Sequence, residues 1–204
     1  MFKPILILFL FVSSISYSQW IDKGVNSVSS RLGGSYFFDS NIGFVVGDGG
    51  VIVKTTSGGD NWTFVNSNNS NNLHKVVFVN SEVGFIVGGN GIILRTSNSG
   101  NNWTVIPSGL PGTSANNCNY ICFANATTGY IACTSGYLKT TDAGLTWNKI
   151  YSSTVFTYGV NFINANTGIG IGDNSLIMRT TNGGLNWSFI GSGTNYLLDG
   201  IDHN

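Results

Sequence analysis

Charge is scarce in this chain. Its 204 residues hold nine Lys plus Arg and nine Asp plus Glu, for a formal net charge of zero. A nucleic-acid-binding surface needs a basic stripe or patch, and nine scattered cations do not make one, so no nucleic-acid partner is expected. Glutamate is reduced to Glu82 alone, whereas glycoside hydrolysis normally calls for a spaced pair of carboxyl groups. Histidine occurs only at positions 74 and 203, outside any ligand motif, and Asp142 lacks the string of oxygen donors of a calcium loop. Walker loops, dinucleotide fingerprints and nucleophile elbows are missing as well. No metal, no cofactor and no catalytic residue is therefore expected. Helix-length apolar periodicity is also lacking, which argues against helical solenoids.

What the chain has instead is 28 Gly, 26 Asn and an aromatic content of 13%. Gly and Asn serve tight turns, and the aromatics set the chain apart from a charge-driven disordered tail. The composition predicts short strands joined by many turns.

The first eighteen residues read as a secretory signal peptide. Lys3 supplies the positive start, residues 5–12 are continuously apolar, and Ser16-Tyr17-Ser18 places small residues before Gln19. The apolar run is shorter than the roughly 20 residues that span a bilayer. The expectation is an exported protein, periplasmic, outer-surface or extracellular, with no stable membrane span after processing. Residues 19–204 carry the fold.

Tryptophan recurs at 20, 62, 103, 147 and 187, a spacing near 40 residues. Periods of that size indicate propeller blades or solenoids. The copies agree beyond the Trp. Gly43-Phe44-Val45-Val46-Gly47 precedes Lys54-Thr55-Thr56, Gly59 and Trp62, and Gly84-Phe85-Ile86-Val87-Gly88 precedes Arg95-Thr96, Gly100 and Trp103. Gly129 to Cys133 precedes Lys139-Thr140, Gly144 and Trp147, and Gly168 to Gly172 precedes Arg179-Thr180, Gly184 and Trp187. Each copy breaks into four short apolar runs. The predicted architecture is all-β, a β-propeller of four recognisable four-stranded blades, with copies ending near residues 66, 107, 151 and 191. The recurrent Trp is expected to start the outer strand and pack between blades.

Thr140-Thr141-Asp142-Ala143-Gly144-Leu145-Thr146-Trp147 fits the Asp-box pattern of sialidase-type propellers, with Ser57, Asn98 and Asn182 in place of Asp142 in the other copies. With Gly-Phe-Val-Val-Gly-Asp-Gly-Gly ahead of Lys-Thr-Thr and Gly-Gly-Asp-Asn-Trp, the chain resembles the BNR-type propeller family that includes the photosystem II assembly and stability factor. The resemblance covers nearly the whole of residues 19–204. It implies a propeller whose boxes are hairpin devices, with Asp142 and Gly144 as turn anchors and Trp62, Trp103, Trp147 and Trp187 as blade anchors. Sialidase activity would need an arginine triad. The only arginines are Arg31, Arg95 and Arg179, and two of these share a repeat position with lysines.

Closure of the ring is open to three readings. Residues 20–24 resemble an outermost strand and residues 195–198 a first strand, with nothing between them. The chain is then a piece of a longer propeller, a compact four-bladed ring, or a subunit whose open ends join those of another copy, since unpaired edges invite association.

Three sets of side chains stand out. Lys54, Arg95, Lys139 and Arg179 share one repeat position and are candidates for anion contacts, or for stems packed on aromatics. Asp48 and Asp173 share the turn between second and third strands, a candidate ligand face. Cys122 and Cys133 fall on adjacent strands of the third copy and are a candidate disulfide, with pairings through Cys118 or three free thiols as alternatives. The function expected is non-enzymatic binding of a protein or glycan. A glycoside-hydrolase fragment and a surface protein assembling through blade edges are the alternatives.

Overall fold

The computed structural model describes residues 30–191 together with Gly193, Tyr196, Leu198, Gly200 and Ile201. The predicted signal peptide, the strand-like segment 20–24 and half of 195–198 lie outside those residues.

Sixteen strands form four antiparallel sheets, each a meander in chain order. The first blade holds β1 (Leu32–Phe37), β2 (Gly43–Gly47), β3 (Ile52–Thr55) and β4 (Thr63–Phe64). The second holds β5 (Leu73–Phe78), β6 (Gly84–Gly88), β7 (Ile93–Thr96) and β8 (Thr104–Val105). The third holds β9 (Cys118–Phe123), β10 (Gly129–Cys133), β11 (Gly136–Thr140) and β12 (Asn148–Ser152). The fourth holds β13 (Thr157–Phe162), β14 (Gly168–Gly172), β15 (Leu176–Thr180) and β16 (Ser188–Phe189). The first strands β1, β5, β9 and β13 contact one another in sequence and form the inner wall. No comparable contact returns from β13 to β1 among the described residues. The propeller is an open ring.

Position within a blade explains the sequence of each strand. The second strands are flanked by strands on both sides, and those of the second and third blades also by a blade on each face. β6 and β10 are therefore buried at every position and read as continuous apolar runs rather than alternating ones. The two-residue outer strands β4, β8 and β16 are fully exposed.

The core consists of the seams between blades. One buried cluster joins the first and second blades, one the second and third, and one the third and fourth. Trp103 stands edge-on to Phe44 of the preceding blade at 6.4 Å, and Trp147 to Phe85 at 6.2 Å. Both indoles are buried. Tyr130 stacks on Phe162 across the third seam, with centroids 3.5 Å apart.

The disulfide is Cys118–Cys133, not Cys122–Cys133, and Cys122 is a buried free thiol. Register is the reason. In an antiparallel pair the last residue of one strand meets the first of the other, so Cys133 faces Cys118 while Cys122 faces Tyr130. The two cysteines also belong to opposite faces of the blade. Cys133 packs in the second seam and Cys122 in the third.

Candidate functional site

The box turns share one geometry. In the third blade Thr140 Oγ1 donates to Asp142 Oδ1 (2.7 Å) and accepts from Gly144 N (2.9 Å). Asp142 Oδ1 accepts from Thr146 N at 2.9 Å, and Oδ2 from Thr146 Oγ1 at 2.6 Å. These bonds hold the carboxyl well below its usual range, at about 2. Asn98 and Asn182 accept the corresponding backbone bonds from Asn102 and Asn186, and Ser57 accepts from Asn61. The carboxylate is thus consumed in its own turn.

The box glycine has a second task. Gly100 and Gly144 sit at φ +71° and +76°, a region glycine occupies without steric cost. A methyl group on Gly100 would overlap the Phe44 ring, and one on Gly144 the Phe85 ring. The aromatic second-strand residue of one blade therefore rests on the box glycine of the next.

The repeated cations serve the same seams. Lys54 Nζ donates to the carbonyl of Ser99 (2.9 Å) and to Asn101 Oδ1 (3.1 Å) in the next blade, above the Phe44 ring. Lys139 Nζ donates to the carbonyl of Gly183 (2.8 Å), above Tyr130. Burial lowers the pKa of Lys54. Arg95 lies over Phe85 at 5.9 Å, and Arg179 is exposed on the fourth blade. The structure does not bring the four together. Each lies at its own blade boundary, and for Lys54 and Lys139 the partner is a neutral backbone carbonyl.

Asp48 and Asp173 stand at equivalent turns of the first and last blades, so two blades separate them. Asp173 Oδ2 accepts from Tyr158 at 3.5 Å. Asp48 borders an open cavity of about 320 Å³ with Arg31, His74 and Asn119.

The inner wall carries polar residues that the repeat pattern did not single out. β5 and β9 each contain a register shift near their start, which leaves two consecutive side chains incompletely buried. His74 and Lys75 are half-buried in this way on β5, and Asn119 and Tyr120 on β9. His74 Nδ1 lies 3.1 Å from the carbonyl of Cys118, and Asn119 Nδ2 donates to that of Thr157 at 3.2 Å. These contacts tie neighbouring inner strands. Lys75 Nζ stands 4.7 Å over the Tyr120 ring. Both line an open cavity of about 370 Å³ spanning the first strands of three blades, with Ser35, Val77 and Cys122. The sequence signal was present as a polar pair inside an otherwise apolar strand. Strict alternation hides it, because a bulge adds one residue.

Among the described residues no group of three His, Cys, Asp or Glu side chains is placed to hold a metal ion. No helix there is long and apolar enough to cross a membrane. Glu82 is exposed in the β5–β6 turn, where its own N–H donates to Asn80 Oδ1.

Four box-turn blades around an open inner wall define a BNR-type β-propeller. The family described as "Photosynthesis system II assembly factor YCF48" matches residues 12–154, and the chain belongs to that family. Among solved structures it is similar to YCF48 bound to D1 peptide, at 20% identity and a TM-score of 0.66, over 85% of this chain and 59% of that one. It is also similar to YCF48 from Cyanidioschyzon merolae, at 18% identity and a TM-score of 0.63, over 81% and 57% of the two chains. The GH74 enzyme of Niastella koreensis matches at 22% identity and a TM-score of 0.58, over 76% of this chain and 28% of the enzyme. The chain thus spans less than two thirds of the length of each of these structures. No curated protein matches it.

Proposed function

We propose that this chain is an exported, non-enzymatic binding module that holds an extended protein segment against the inner wall of its blades. The observation that carries the reading is the open cavity across β1, β5 and β9, in which the Lys75 ammonium stands over Tyr120. Such a wall offers a cation for a carboxylate or backbone carbonyl, and an aromatic face for an apolar side chain. Family membership supports the reading, and one relative carries a peptide in its structure. The proposal takes only that chemistry from the relative and leaves the photosystem role aside. Export rests on the N-terminal pattern of Lys3 and the apolar run behind it.

The test is selection of peptide ligands from a display library, followed by titration against Lys75→Glu and Tyr120→Ala. Each variant is expected to weaken binding at least tenfold; Lys75→Glu is expected to melt close to the parent, whereas Tyr120→Ala also loses packing on the third seam. Unchanged affinity in both would remove the inner wall from the proposal. Selective binding to a glycan array, or release of sugar from xyloglucan, would favour the carbohydrate readings. The likeness to GH74 enzymes supports those through fold alone.

A further inference from the structure

The second and third blades each carry an asparagine immediately ahead of the first strand, and each does two structural jobs. The carbonyl of Asn72 accepts from Gly89 N of its own blade at 2.8 Å, and its Oδ1 accepts from Gly49 N of the preceding blade at 3.1 Å. The carbonyl of Asn117 accepts from Thr134 N at 2.8 Å, and its Oδ1 from Asn90 N at 3.0 Å. Gly49 and Asn90 hold the same left-handed place in their turns, at φ +69° and +56°. A backbone N–H only donates, so each carboxamide is fixed with its oxygen on the turn and its Nδ2 group left over.

Both amides line an open cavity of about 300 Å³ with Asn71, Asn90 and His74, at the end of the inner wall where β5 and β9 begin. Asn90 Nδ2 donates to Asn71 Oδ1 at 2.8 Å, which leaves the Asn71 Nδ2 group and the Asn90 oxygen. His74 Nδ1 faces the Cys118 carbonyl, which only accepts, so Nδ1 carries the hydrogen and Nε2 of the neutral ring is an acceptor. The cavity therefore presents both donors and acceptors. Among the described residues, no Trp, Tyr or Phe and no Lys, Arg, Asp or Glu lines it. An anion would call for a cation there, and a sugar ring or an apolar side chain for an apolar plate. A peptide main chain asks for neither, since it offers one carbonyl and one N–H per residue. Position agrees with that match. His74 also borders the cavity that holds Asn119, and the next residues along β5 and β9, Lys75 and Tyr120, line the larger cavity of the inner wall.

We infer that this amide cluster is a main-chain subsite, which hydrogen-bonds the backbone of the bound segment where that segment leaves the inner wall. The inference rests on the inner-wall reading and adds a division of labour to it. Lys75 and Tyr120 select side chains, and the amides hold the following residues whatever side chains they carry.

The test uses the tightest peptide recovered from the display library. Asn72→Asp and Asn117→Asp each keep an oxygen for Gly49 N or Asn90 N and replace the outward N–H2 by a carboxylate oxygen, which cannot donate to a peptide carbonyl. Each variant is expected to melt like the parent and to bind the peptide about fivefold to tenfold more weakly. Asn98→Asp adds the same charge in a box turn, where the third blade already has Asp142, and is expected to bind like the parent. On the peptide, amide-to-ester replacements made one at a time are expected to weaken binding over a stretch that tolerates alanine. If an Asp variant melts below the parent, this ester scan on the wild-type chain decides. Binding that falls in Lys75→Glu but not in the two Asp variants overturns the subsite and leaves the inner-wall reading standing, as does an ester scan without such a stretch. Recovery of no peptide overturns both. A glycan whose binding falls in Asn72→Asp assigns the cavity to sugar hydroxyls and overturns the inference as well.

Discussion

The Asp142 carboxylate accepts from three groups of Thr140 and Thr146 in an exposed turn, and its acidity records them. Its folded pKa of about 2 lies below the ordinary 3.8. A depressed folded pKa means that the unfolded chain takes up the proton first. The carboxylate's contribution is complete above about pH 4 and is lost as pH falls through about 2. Asp142→Asn is expected to melt like the parent at pH 7, since Asn98 and Asn182 already fill this place in two blades. Between pH 4 and 2 the variant should lose less stability than the parent. Parallel acid-limb profiles for the two proteins would show that the box carboxylate is not the group being titrated.

Cysteine chemistry gives a second test at this scale. Burial pushes the Cys122 thiol up to about 12, so little thiolate exists near neutrality. Iodoacetamide is expected to leave the native chain unmodified, to label one thiol per chain after unfolding without reductant, and three after unfolding with it. Peptide mapping should place the single early label on Cys122. The pairing was not readable beforehand, because it depends on strand register and on which face of the blade each cysteine occupies. A period-2 count across a bulged strand gets both wrong.

At the scale of the blade and its seam, much more was legible. Trp spacing, the box and a second strand opened by glycine recur in four copies, and they yield the strand count and order. The partners of the repeated cations were not legible. Lys54 and Lys139 bind backbone carbonyls of the following blade, and a carbonyl has no letter in the sequence. The glycine beneath the aromatic ring was half-legible, since the turn alone accounts for its presence. Comparing two box glycines separates these roles. Gly100→Ala brings a methyl into the Phe44 ring as well as straining a positive φ, while Gly59→Ala brings strain alone. Backbone strain of this kind costs about 1–3 kcal/mol, and overpacking a core adds about 1–3 kcal/mol more. Urea unfolding is expected to show Gly100→Ala as the less stable of the two by at least about 1 kcal/mol. Equal losses would mean that the ring moves aside and the seam is softer than its geometry implies.

For the whole molecule, the consequence of an open ring is that stability is distributed unevenly. Each blade contacts only its neighbours, so the free energy approaches a sum of blade terms and seam terms, as in linear repeat arrays. The second and third blades have two seams each, and the third is further closed by Cys118–Cys133. Among the described residues the first and fourth blades have one seam each. Opening an end blade breaks one interface, whereas opening an inner blade breaks two. Hydrogen exchange on the chain is therefore expected to protect β6 and β10 most and β2 and β14 least, although all four are second strands of equivalent sequence. A flat protection profile would mean that the blades unfold as one unit, and that the seams are stronger than the sheets they join.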